Sequence, residues 1–229
     1  MSAFLFIKRR FAALFAVCVC ALFIFAACIY AGLLFHREEI TVEKTFYFLI
    51  AETEHIQVGT EIAQLNGGAG YPLQVGENYK VAYAVYFNRE QGEKAQTELA
   101  QNGTNAQLRA CFVQALVFTS VNERKNISTV CAALDNLYAC MQILQQEIQR
   151  LSRGATQQSS KRILETLKTQ LCGLLKSYRG IYDAFAQVCS QSVALLENCL
   201  NGVVYNKDLR YLLCFWGDSY VRLCSEYAI

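Results

Sequence analysis

Hydrophobic positions change period twice along this chain of 229 residues. From Phe11 to Phe35 there are 25 residues without an Asp, Glu, Lys or Arg. A bilayer core takes about 20 apolar residues in helical form, so this stretch predicts a transmembrane helix. Lys8, Arg9 and Arg10 stand before it and Arg37 after it, which places the N-terminus on the cytoplasmic side and the bulk of the chain outside. A cleavable signal peptide has a shorter apolar stretch, of about 7–15 residues. A lipoprotein signal at Phe25-Ala26-Ala27-Cys28 would leave Ile29 to Phe35 as an apolar start to the mature chain. The uncleaved anchor is the favoured reading of the three.

The next stretch alternates. Glu38 to Lys44 reads as a polar lead-in, and Thr45 to Ala51 as an aromatic, buried strand. Glu54 to Leu65 has helical spacing and stops at Asn66-Gly67-Gly68-Ala69-Gly70. That glycine group closes a helix rather than opening one, and no Lys-Ser/Thr follows, so a turn is expected in preference to a phosphate loop. Tyr71 to Val75 and Tyr79 to Tyr86 form a hairpin around Gly76-Glu77-Asn78. Asn88 caps a helix to about Gln101, and Gln107 to Phe118 is a last strand. The expected order is β-α-β-β-α-β, a four-stranded sheet with two helices on one face.

Beyond residue 119 the period becomes helical. Ile127, Val130, Leu134, Leu137, Met141, Leu144, Ile148 and Leu151 follow steps of three and four. The seam resumes at Leu164, Leu167, Leu171, Leu174, Tyr178, Ile181, Phe185 and Val188, in a second helix ended by Asn201-Gly202. Lys207 to Tyr227 makes a third, with Leu209, Leu212, Trp216, Tyr220 and Leu223 on one side. Three striped helices with short links predict an antiparallel bundle. The same seam would also serve an intermolecular coiled coil and so a homo-oligomer. The fold class is therefore α+β: a cytoplasmic tail 1–10, a transmembrane helix 11–35, a linker 36–44, an α/β domain 45–119 and a helical domain 120–229.

Charge adds little to this division. The middle stretch 41–119 has five bases against eight acids, and 120–229 twelve against nine. Neither balance is strong enough to predict nucleic acid as a partner. Eight of the eleven cysteines lie outside the apolar segment, without CxxC or zinc-site spacing, and only His36 and His55 are present. No metal or cofactor is predicted, and the spacing leaves disulfides and free thiols both open. A nucleophile would need a base in reach, and Glu52 with Glu54 read as helix-start acids rather than a catalytic pair. An enzyme is not expected.

Two strand-helix pieces carry a resemblance. Phe46-Tyr47-Phe48-Leu49-Ile50-Ala51 precedes one helix; Tyr79 to Glu90 precedes the other and looks like the stretch Y-x-V-x-V-G-P-F-x-x-R-E-x-A, with Arg89-Glu90 and Ala95 near their expected places. Residues 45–118 thus resemble the SPOR domain, a small bacterial peptidoglycan-binding module. The resemblance implies a single-pass cell-membrane protein of the envelope, binding peptidoglycan glycan strands at division or sporulation sites. It implies binding on the sheet face that the two helices leave open. If Phe46, Phe48, Ile50, Tyr79, Val81, Tyr83 and Val85 point to those helices, the open face carries Tyr47, Leu49, Ala51, Lys80, Ala82 and Ala84. Tyr47, Lys80, Gln107 and Arg109 are then the expected binding residues. Leu49, where the family commonly has Gln, and Ala51 and Ala84, where it has Gly, depart from a glycan face. The C-terminal helices or a partner protein are expected to pack there, which leads to the second function, a scaffold for another membrane or envelope protein. A third is a sensor for a small ligand.

Overall fold

The computed structural model describes residues 22–27, 30, 38–51, 55–118 and 126–227. They fall into two compact units, one drawn from Met1–Glu39 and Val117–Ile127, the other from Ile40–Leu116 and Ser128–Ile229. In the first, residues 22–27 and Tyr30 are helical, with Leu22, Phe23, Ile24 and Phe25 about two-thirds or more exposed. The rest of the expected 11–35 span and the 1–10 tail lie outside the described residues.

The chain from residue 38 is α+β. Its elements run β1 (Glu38–Ala51), α1 (Ile56–Leu65), β2 (Tyr71–Val75), β3 (Asn78–Tyr86), α2 (Arg89–Gln101), β4 (Ala106–Phe118), α3 (Ile127–Ser152), α4 (Gln157–Tyr178), α5 (Asp183–Leu200) and α6 (Asn206–Ser225). The four strands form one sheet in the order β2-β3-β1-β4. β3 runs antiparallel to both β1 and β2.

The helix stops have a common chemistry. At the end of α1 the Gly67 N–H donates to the Gln64 carbonyl and the Gly68 N–H to that of Ala63, at 3.1 and 2.7 Å. α2 ends the same way, with Gly103 to Ala100 and Thr104 to Leu99. Gly67 and Gly103 take φ of 71° and 76°, the left-handed turn that lets these paired bonds form. The glycine group after α1 is thus a helix stop. Asn66 Nδ2 donates to Thr104 Oγ1 at 3.2 Å, tying the two stops together.

Helices cover both sides of the sheet. Leu49, Ala51, Val81 and Tyr83 form a core with Ala63 of α1, joined by Ala95 and Leu99 of α2 and Leu108 of β4. On the other side, the Phe46 ring lies 5.1 Å from that of Tyr220 in α6 and 6.4 Å from that of Tyr138 in α3. A Cβ on Gly217 of α6 would meet Phe48 Cζ at 3.2 Å and Val85 at 3.5 Å, so a residue without a side chain lets this helix lie close on the sheet. The Tyr71 hydroxyl donates to Asp218 at 2.7 Å, fixing β2 to the same helix. Sheet, α1–α2 and α3–α6 therefore share one compact unit.

This arrangement corrects the expected facing. Leu49 and Ala51 point to α1 and α2, while Phe46 and Phe48 point away from them. The cause is partly a bulge: Leu49 pairs with Ala84 but Ile50 with Ala82, leaving Tyr83 as an extra residue. One extra residue reverses the alternation beyond it, so Tyr83 and Val85 face opposite sides although they are two apart. Tyr79, expected inward, is 53% exposed.

Two further differences concern length. β1 begins at Glu38, taking in the stretch expected as a lead-in. The expected second long helix is two, α4 and α5, broken at Gly180, whose φ is 75° and whose N–H donates to Asp183 Oδ1. Ile181, counted in the seam, is 60% exposed at that break. The Lys168–Glu197 ion pair at 2.8 Å spans the resulting hairpin. Most of the remaining seam is core: Val130, Leu134, Leu137, Met141, Leu144, Leu164, Leu167 and Leu171 are all within 2% of full burial, while Ile127, Leu151, Leu174, Tyr178 and Val188 are half-buried. Among the described residues α3 is the one helix long and apolar enough to cross a membrane, but its apolar side is spent on this interior.

Candidate functional site

The four expected binding residues separate. Tyr47 and Gln107 line one open groove of about 540 Å3, with Arg89, Glu93 and Gln96 of α2 and Leu108 and Ala110 of β4. Lys80 pairs with Leu73 in the β2–β3 ladder, on the opposite side of the sheet order from β4. Arg109 is exposed on β4, two residues after Gln107 and one residue out of phase with Leu108, which packs beneath Gly92 of α2.

The groove is built from α2 outward. Asn88 accepts the Glu90 N–H at 2.8 Å and starts the helix there. Arg89 and Glu93 are then one turn apart and make a 2.7 Å ion pair on the exposed side. Gln96, a turn further, donates to the Ala106 carbonyl at 2.7 Å and holds the start of β4. Arg89, Glu93 and Gln96 were not among the expected site residues. Their spacing of four and then three on one helix face was the signal that marks them.

A second open groove, of about 500 Å3, lies where α2, α3 and α6 approach the end of β3. Lys94, Arg153 and Arg210 line it with Glu98, Gln145 and Gln149 over Ala84, Val85 and Tyr86. Gln145 donates to Gln91 at 3.2 Å across it, and Arg210 donates to the Gly67 carbonyl at 2.9 Å. Burial raises the Tyr86 phenol pKa, and the Arg210 charge opposes that shift.

Neither groove holds an activated nucleophile. The described cysteines are free thiols, and burial pushes several of them up: Cys140 and Cys199 to about 11, Cys189 and Cys224 to about 12. A thiol held protonated in this way is a weak nucleophile at neutral pH. Among the described residues no three His, Cys, Asp or Glu side chains group as a metal site. His36, Glu52 and Glu54 lie outside the described residues. No family model, curated protein or solved structure matches this chain.

Proposed function

We propose that this chain is a non-catalytic, membrane-anchored scaffold of the bacterial cell envelope, in which a SPOR-like split βαβ sheet supports a helical layer and presents its remaining surface to another protein. The observation that carries the reading is the covered sheet. Phe46 and Phe48, both fully buried, lie under α3 and α6, on the face where SPOR domains take glycan. A glycan chain needs that surface open and polar; here it is an aromatic interior. The charge-free segment from Phe11 to Phe35, with its exposed helical stretch at 22–27, supports the anchor.

Glycan binding is the second reading, and one observation favours it. Tyr47 and Gln107 share an open groove with Arg89 and Glu93, a set able to stack on and hydrogen-bond a sugar. Sedimentation of the full chain, in detergent, with purified sacculi decides between the two. The scaffold reading expects no co-sedimentation with or without prior amidase removal of stem peptides. Binding that rises after amidase treatment and falls in Tyr47→Ala with Gln107→Ala would replace it with the glycan reading.

A further inference from the structure

The two edges of the sheet are finished differently. β2, at one edge, is five residues long and contains Pro72, which has no N–H to offer a neighbour. Short length and proline are the ordinary defences of an edge strand. β4, at the other edge, runs for 13 residues with Arg109 as its single charge. Among the described residues no strand lies beyond it. From Gln107 to Phe112 its side chains are exposed or half-buried in an unbroken run, with Phe112 60% exposed. Further on, Leu116 and Phe118 are fully buried. The open part of the edge is thus the six residues Gln107 to Phe112.

The two sides of this stretch have distinct chemistry. Leu108, Ala110 and Phe112 share the side of α2 and run beside the groove of Tyr47, Arg89 and Glu93. Arg109 and Cys111 alternate with them and take the other side. Arg89 is paired with Glu93, whereas no described carboxylate pairs with Arg109. An added strand would meet apolar side chains on one side and a cation on the other.

We propose that Gln107 to Phe112 is a strand-addition site for an extended segment of a partner protein, whose side chains alternate apolar and acidic. Main-chain hydrogen bonds to the β4 edge supply the attraction, and alternation supplies the selectivity. The apolar positions pack on Leu108, Ala110 and Phe112, and a carboxylate faces Arg109. The inference names the partner chemistry of the scaffold reading and rests on it.

The test uses the full chain in detergent micelles with fluorescein-labelled Val-Glu-Val-Glu-Val-Glu, read by anisotropy. Saturable binding is expected, weakened about tenfold or more in Arg109→Glu and in Phe112→Ser, two exposed positions at which the fold itself stands. The peptide Val-Lys-Val-Lys-Val-Lys should bind Arg109→Glu better than it binds the parent chain. No saturation by millimolar peptide, or binding indifferent to both substitutions, overturns the proposal. So does sedimentation showing the β4 edge closed by a second copy of the chain and opened by Phe112→Ser. The sacculus experiment is independent: a negative peptide result with no glycan binding removes this site and leaves the scaffold reading.

Discussion

The two sides of the sheet are covered by opposite means. α1 reaches it with small residues: Gly59 and Ala63 are the buried positions of that helix, while Val58, Ile62 and Leu65 stay 39–86% exposed. α3 and α6 reach it with rings, as Phe46, Tyr138, Phe87 and Tyr220 form a cluster with centroids 5.1–6.4 Å apart. Each large ring removes far more apolar area from water than an alanine does, and ring pairs add about 0.5–1.5 kcal/mol beyond area. α3 and α6 therefore bring more apolar area to their side than α1 brings to its own, and α1 keeps apolar surface to spare.

The sharpest way to break this contrast is Phe48→Ala. A fully buried ring at the centre of the aromatic side should cost about 3–5 kcal/mol, read from the shift of a urea midpoint. Gly217→Val comes next. Its branches would be driven into Phe48 and Val85, and overpacking of this kind costs about 1–3 kcal/mol. Gly217→Ala should lose less, because the better helix propensity of Ala, worth about 1 kcal/mol, offsets part of the contact at 3.2 Å.

Ser192→Ala removes the acceptor of the Trp216 indole N–H, a 2.6 Å bond inside the α5–α6 contact, and should cost about 1–3 kcal/mol. On the side of α1, Val58→Ser with Leu65→Ser should stay within about 0.5 kcal/mol of the parent. A loss above 2 kcal/mol there would mean that α1 is covered by something else and would reverse the comparison.

Alkaline pH gives a way to read the two sides in one sample. The thiols with strongly raised pKa values lie in α3, α5 and α6, and α1 and α2 contain no cysteine. Their folded-state pKa values of about 11–12 exceed the ordinary thiol value of 9.0, so the unfolded chain releases these protons first. Stability from them is fully present below pH 9 and is lost as pH rises through 11–12. Hydrogen exchange should therefore accelerate in α3 to α6 over that window before it does so in the Leu49–Val81–Ala63 core.

Much of the fold was legible because local rules decide it. The Asn88 cap, the glycine stops after α1 and α2, the β2–β3 hairpin and the three-and-four spacing of α3 each need only a few neighbouring residues. What stayed hidden depends on partners distant in sequence. The bulge at Tyr83 exists only in relation to β1, and it reverses the facing that simple alternation assigns to Val85. The break at Gly180 is masked because Tyr178 and Phe185 continue the spacing of the helices on either side. For the candidate site, the helix face of Arg89, Glu93 and Gln96 was readable from spacing. Its meeting with Tyr47 was not, since that required knowing which way β1 faces.

The cover over Phe46 and Phe48 comes from the far end of the chain, and this sets a schedule for synthesis. Roughly 170 residues separate Phe48 from Gly217 and Tyr220, so at about 5–20 residues per second the sheet waits on the order of 10–30 s for its lid. During that interval two phenylalanines and an unfinished strand edge are open to any chain nearby. Until α6 is made, the surface of Phe46 and Phe48 lacks that part of its cover, and a pulse-labelled intermediate lacking α6 should expose it.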